Sequence, residues 1–190
     1  MNTNTSKKTF LLVEGALMIA MAFVLSYIKL YDMPMGGSIT LEMIPLVIMG
    51  LRHGVKWGTF TAAVHGIIQL ILGFSNVMYC ATIPAMIGCV LLDYLFAFTV
   101  LGLAGLFLPL FKNKLIGAAV GTAICGALRF LCSFLSGWLL WGSYAPEGWS
   151  VAYYSLIYNG SYMLPNIIIG VIVILIIGKT APGFLFQKQE

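Results

Sequence analysis

The chain has 190 residues, of which 61% are hydrophobic and only 8% charged. A soluble domain is roughly 25% charged, so this chain lacks the polar surface to stay in water and needs lipid as its solvent. Its net charge of +4 is read as a topology signal, with no nucleic-acid partner expected.

In chain order, six apolar segments predict an all-α membrane protein. They form a six-transmembrane-helix bundle in a single domain spanning 1–190, at about 10–30, 40–51, 55–73, 82–110, 115–142 and 151–178. Lys7 and Lys8 precede the first run, which extends from Phe10 to about Ile28 with no small-residue cleavage site, so it reads as a retained helix. Within it, Ala16 and Ala20 lie one turn apart. Small residues at this spacing let another helix approach closely, either inside the bundle or on a partner subunit. The second segment is short for a hydrocarbon core of about 30 Å, and the fourth and fifth are long enough to tilt.

The connections alternate in charge. Lys7, Lys8, Arg52, Lys56, Lys112, Lys114, Lys179 and Lys188 fall on one side, and only Lys29, with Asp32 and Glu147 nearby, on the other. The positive-inside rule then puts both termini in the cytoplasm. Loops 31–39, 74–81 and 143–150 lie outside. These outer loops carry turn and aromatic residues: Met33-Pro34-Met35-Gly36-Gly37-Ser38, and the run from Trp141 to Trp149. An aromatic belt accounts for part of this pattern, but not for the aromatic and hydrogen-bonding residues that continue inward along the helices.

No catalytic constellation appears. There is no phosphate-binding GxxxxGK[ST] loop and no HExxH, so no enzyme activity is expected. Cys80, Cys89, Cys125 and Cys132 match no zinc spacing and read as small packing residues. His53 and His65 stand far from metal-ligand partners in sequence, so neither a metal nor a cofactor is expected. Ionisable residues at membrane depth are costly and point to function. Asp93 lies in the fourth segment and Arg129 near the middle of the fifth; a purely structural alternative pairs them with each other. Glu14 and Glu42 lie near span ends, within reach of water or a neighbouring base.

Ser133, Gly137 and Trp141 recur every four residues and share one helix face. Tyr154 and Asn159 open the sixth segment, and Asp93 sits at comparable depth. An acid, an indole, a phenol and a carboxamide gathered in the outer half suit a flat, cationic, hydrogen-bonding small molecule. The indole gains from a cation over its face, the acid supplies counter-charge, and the amide offers a donor and an acceptor. Gly137 would leave room for the ligand.

The segment from Trp141 to Gly160 (WGSYAPEGWSVAYYSLIYNG) resembles the thiamine-specific substrate-binding subunit, or S component, of energy-coupling-factor transporters. So do Leu92-Asp93-Tyr94, Leu101-Gly-Leu-Ala-Gly105, Gly36-Gly-Ser-Ile-Thr-Leu41 and the Leu51-Arg-His-Gly54 turn. The resemblance covers nearly the whole chain. It implies a multi-pass subunit of the cell membrane that captures thiamine from outside. Such subunits associate with a transmembrane coupling subunit and two ATPase subunits, which alone use ATP. Reorientation of the whole subunit is the implied transport step. The resemblance also assigns roles: the acidic pocket residue to Asp93, with Tyr94 beside it; the stacking ring to Trp141; the pyrimidine readers to Tyr154 and Asn159; a pocket-lining glycine to Gly137; and the coupling-subunit face to Ala16 and Ala20. Ser133 stands where the family usually has a histidine. That departure leaves open another pyrimidine-containing or flavin vitamin; a self-contained small-molecule carrier is the remaining alternative.

Overall fold

The structure is a computed structural model and describes residues 3–34 and 36–186, with side chains from residue 7 onward. Met35 of the first outer loop and Lys188 of the basic set lie outside the described residues. Among the described residues, five helices are long and apolar enough to cross a membrane: Lys7–Tyr27, Met43–Leu72, Ile83–Leu110, Lys114–Leu140 and Val151–Thr180. We call the helices containing them α1 (Thr3–Tyr27), α2 (Met43–Leu72), α4 (Ile83–Leu110), α5 (Lys114–Leu140) and α6 (Val151–Thr180). Short helices α3 (Phe74–Met78) and α7 (Pro182–Leu185) follow α2 and α6.

The second and third expected segments run together as α2, apart from residues 40–42 and 73 at their outer ends, and α2 is broken at Gly54 (φ 79°, ψ 178°). That backbone conformation is open to glycine and strained for other residues. The break folds α2 back on itself. The carboxylate of Glu42, just before the helix, reaches Gln69 near its far end at 2.8 Å. A straight 27-residue helical separation would span about 40 Å. Gly50, Gly58 and Gly102 meet where the two arms of α2 cross α4, and a Cβ on any of them would strike the backbone of another. Small residues here let three backbones approach without side chains between them.

Helix α4 changes its winding along its length. Thr82 caps its start by accepting from the Ala85 amide at 3.3 Å. The stretch Val90–Phe96 is a wide π-type turn, and Val100–Leu110 tightens to 3₁₀ geometry. Asp93 sits on the π turn, a feature often found at functional positions. Asn113 caps α5 by accepting from Leu115 N at 2.9 Å, and Ser150 caps α6 by accepting from Tyr153 N at 3.3 Å.

The main core joins all the long helices. Met18 and Ala22 of α1 pack with Leu46 and Met49 of α2, Phe98 and Leu101 of α4, Cys125 of α5 and Ile174 of α6. A smaller cluster of Val77, Cys80, Cys89 and Tyr94 packs against Leu140 and Trp141. The four cysteines are free thiols. Leu17, Ile71, Leu110, Leu139 and Leu164 are each at least 60% exposed. In a soluble protein such outward leucines and isoleucines would form a large sticky surface; here lipid covers them.

At the basic end, Glu14 forms an ion pair with Arg52 and lies 2.9 Å from His53 Nε2 through its other oxygen. Arg52 also donates to the Phe184 carbonyl and lies over the Phe184 ring. This cluster ties α1, the break in α2 and the segment after α6 together. At the other end, Tyr31–Asp32 and Ser38–Ile39 form a two-residue antiparallel hairpin, with Tyr31 opposite Ile39. Asn166 of α6 holds its base, donating to Ser38 O at 2.8 Å and accepting from Thr40 N at 2.9 Å.

Candidate ligand-binding site

A cavity of about 620 Å³ opens between α4, α5 and α6 at the end away from the basic cluster. Its size falls within the roughly 300–1,000 Å³ typical of small-molecule sites. Asp93, Tyr94, Ser133, Gly137, Trp141, Tyr154 and Asn159 all line it. Gly36 and Gly37 of the hairpin loop contribute another wall. Tyr158 donates to Gly36 O at 3.0 Å, fixing that loop to α6.

Asp93 is not paired with Arg129. Its Oδ2 accepts from the Ser136 hydroxyl at 2.7 Å and from the Trp141 indole N–H at 3.4 Å. The indole N–H also reaches Ser136 Oγ at 3.2 Å. Trp141 leaves the helix (φ −112°, ψ 25°), which lets its ring fold back over the last turn of α5. Tyr144 packs against that ring at a centroid distance of 6.0 Å. Tyr94 reaches away from Asp93 and donates to Gly73 O at 2.9 Å, pinning the end of α2 to α4.

Arg129 instead faces Glu42, with Nη2 3.6 Å from Oε2, and lies 4.3 Å from the centre of the Phe98 ring. Glu42 is only 7% exposed. Of the two expected ways to satisfy it, water or a neighbouring base, the structure shows the second, within a buried network. His65 Nε2 lies 2.9 Å from Glu42 Oε1, and Gln69 donates to the same oxygen at 2.8 Å. The fold-back of α2 creates this arrangement by bringing His65 and Gln69 beside Glu42. Arg129 and Gln69 line the cavity. The twelve residues from Arg129 to Trp141 correspond to about 18 Å of helix, so Arg129 marks its inner end. Among the described residues in or directly behind the wall, the acidic and guanidinium groups are Asp93, Glu42 and Arg129, and only Glu42 faces the guanidinium. With both carboxylates ionised and His65 neutral, one negative charge is left over, which suits a monocation.

On α6, Asn159 donates to Ser155 O at 3.0 Å and Ser155 Oγ at 3.1 Å. Its oxygen accepts from Tyr162 at 2.8 Å, and Ser155 in turn donates to Phe134 O at 2.7 Å. The amide is thus held in one orientation by a chain that ends on the backbone of α5. Gly137 serves that packing rather than leaving open space for a ligand: a Cβ there would sit 3.0 Å from Asn159 Nδ2 and closer still to Ser155.

Sequence reasoning missed Ser136, Ser155, Tyr158 and Tyr162, all of which line the cavity. A signal existed on α6, where Tyr154, Tyr158 and Tyr162 recur every four residues with ring centroids 5.5 and 6.4 Å apart. For Ser136 there was none, since a lone serine within an apolar helix is ordinary. The other two assigned residues lie elsewhere. Ala16 and Ala20 are exposed on α1, whereas Gly15, Met18 and Ala22 face the bundle. Packing inside the bundle therefore does not account for the alanine pair. No group of three or more metal-ligating side chains occurs among the described residues.

The profile of the family described as "Thiamine transporter protein" matches residues 12–186. The chain belongs to this family. It is 37% identical over 193 aligned positions to the thiamine transporter ThiT of Bacillus subtilis, covering 96% of this chain and 97% of that protein. ThiT of Lacticaseibacillus paracasei is 28% identical, with 96% and 94% covered. A solved structure of ThiT from Listeria monocytogenes superposes with a TM-score of 0.78 at 28% identity, covering 95% of this chain and 99% of that one. Family membership makes the chain a multi-pass membrane transport protein and not an enzyme.

Proposed function

We propose that this thiamine transporter family member is an S component that binds thiamine in the cavity between α4, α5 and α6. The observation that carries this reading is that Asp93, Trp141 and Asn159, from three helices, line one cavity in which, among the described residues, the Asp93 carboxylate has no basic partner, Arg129 being taken up by Glu42. Thiamine is a monocation with two flat rings, one bearing an amine. Trp141 offers a ring face to stack on, with cation–π attraction of about 0.5–2 kcal/mol. Asp93 supplies counter-charge and accepts from the amine edge. Asn159 and Tyr154 read the remaining pyrimidine edge, and the loop around Gly36 and Gly37 shields the site from water.

The wider role rests on the family and on charge. Counting the two arms of α2 separately gives six passes, and the basic residues at the far end put both termini in the cytoplasm, with the cavity facing outward. The exposed Ala16 and Ala20 form the face on which a transmembrane coupling subunit docks, with two ATPase subunits supplying the energy.

Ser133 favours a second reading: with no ring at this position, the site holds a different pyrimidine or a flavin. Calorimetric titration of the purified protein with a panel of vitamins separates the two. Tight binding of thiamine and no heat from riboflavin or other pyrimidines supports the first reading; the reverse order rejects it.

A further inference from the structure

We propose that Ser136 is a positioning residue for ligand selection, joining the acid and the indole of the site into one rigid unit. The inference rests on the thiamine-site reading above and names a residue that neither motif nor spacing singles out.

Ser136 is polar yet only 1% exposed, on the face of α5 that borders the cavity. A buried hydroxyl needs partners, and this one has two that serve the site. It donates to Asp93 Oδ2 at 2.7 Å and accepts from Trp141 Nε1 at 3.2 Å. The Cys89 thiol also lies against Asp93. The indole N–H leans toward the same Oδ2 at 3.4 Å, closing a triangle of three side chains from two helices. A planar carboxylate pinned through one oxygen has the direction of its other oxygen fixed. An indole held at its nitrogen, with Tyr144 packed against the ring, likewise has its swing restricted. Ser136 therefore sets in advance both the acceptor and the stacking face that a ligand meets. This lowers the ordering cost of binding. It also makes the acceptor selective, because a fixed carboxylate oxygen rejects a ligand edge that presents an acceptor instead of a donor.

The test compares thiamine with its 4-oxo analogue, in which a carbonyl replaces the amine on the pyrimidine. Calorimetric affinities for both are measured on the wild type, Ser136→Ala and Ser136→Cys, with thermal melting as a folding control. The expected result is that Ser136→Ala binds thiamine on the order of tenfold more weakly while the analogue changes little, so that selectivity collapses. Ser136→Cys, similar in size and still a weak donor, falls between; it carries the test alone if the alanine variant does not fold. A Ser136→Ala/Trp141→Phe double variant should lose less than the sum of the two single losses. Equal weakening of both ligands, unchanged selectivity in a folded variant, or strict additivity would overturn the proposal. A wild type that fails to bind thiamine would instead reject the reading beneath it.

Discussion

At the scale of single residues, the site divides into groups that touch the ligand and groups that hold them. Replacing Asn159 by alanine removes the amide and leaves the Tyr162 hydroxyl without its acceptor. We expect thiamine affinity to fall by about 1–3 kcal/mol, on the order of ten- to a hundredfold, in a calorimetric titration. Trp149 is 46% exposed and packs on Tyr153 at 4.9 Å, outside the cavity. Trp149→Ala should leave that affinity within about twofold, since exposed positions away from the site change energies by roughly 0.5 kcal/mol or less. Arg129 calls for a different measurement. Its removal leaves Glu42 buried without its guanidinium partner, held only by His65 and Gln69 on its other oxygen. Arg129→Met should cost about 3–5 kcal/mol of stability, read as a lower melting temperature. Adding Glu42→Gln should recover much of it. Equal melting of the single and double variants would contradict the ion pair.

At the scale of elements, the break in α2 and the outward face of α1 matter most. Gly54→Ala forces a side chain onto a φ of 79°. A destabilisation of about 1–3 kcal/mol is expected from thermal melting. The exposed Ala16 and Ala20 predict a separation of activities. With Ala16→Trp or Ala20→Trp, the purified protein should bind thiamine as before, while uptake by the assembled transporter is lost. Joint loss of binding and uptake would place the alanines inside the bundle's own packing. These elements also show where sequence reasoning reached and where it stopped. Apolar runs of membrane length are a local property, so the spans and most of their ends were legible. The continuity of α2 through Gly54 was not, because a backbone angle at one glycine decides whether two runs form one element or two. Asp93, Trp141 and Asn159 announced themselves by chemistry unusual for a membrane helix. Their holders, Ser136 and Ser155, did not, because a serine's role is set by what folds against it: Asp93 is 43 residues away from Ser136 in sequence. The same holds for Glu42, whose sequence neighbourhood left water and a neighbouring base both open and could not name His65, which the fold-back of α2 brings onto it.

At the scale of the whole molecule, the two ends differ in kind. One gathers lysines, arginines and the Glu14 cluster; the other gathers aromatics, hydroxyls and the cavity. That polarity predicts orientation: protease-sensitive tags on either terminus should be cut only in inside-out vesicles. Transport in this account needs the chain to capture its ligand at the outer end and to receive energy from elsewhere, so capture is the step on which the rest depends. The most direct test is thiamine titration followed by tryptophan fluorescence in the wild type and in Trp141→Phe. The account predicts saturable quenching in the wild type that is largely absent from the variant, with calorimetry showing that the variant still binds, more weakly. Undiminished quenching in Trp141→Phe, or no saturable response in the wild type, would contradict it.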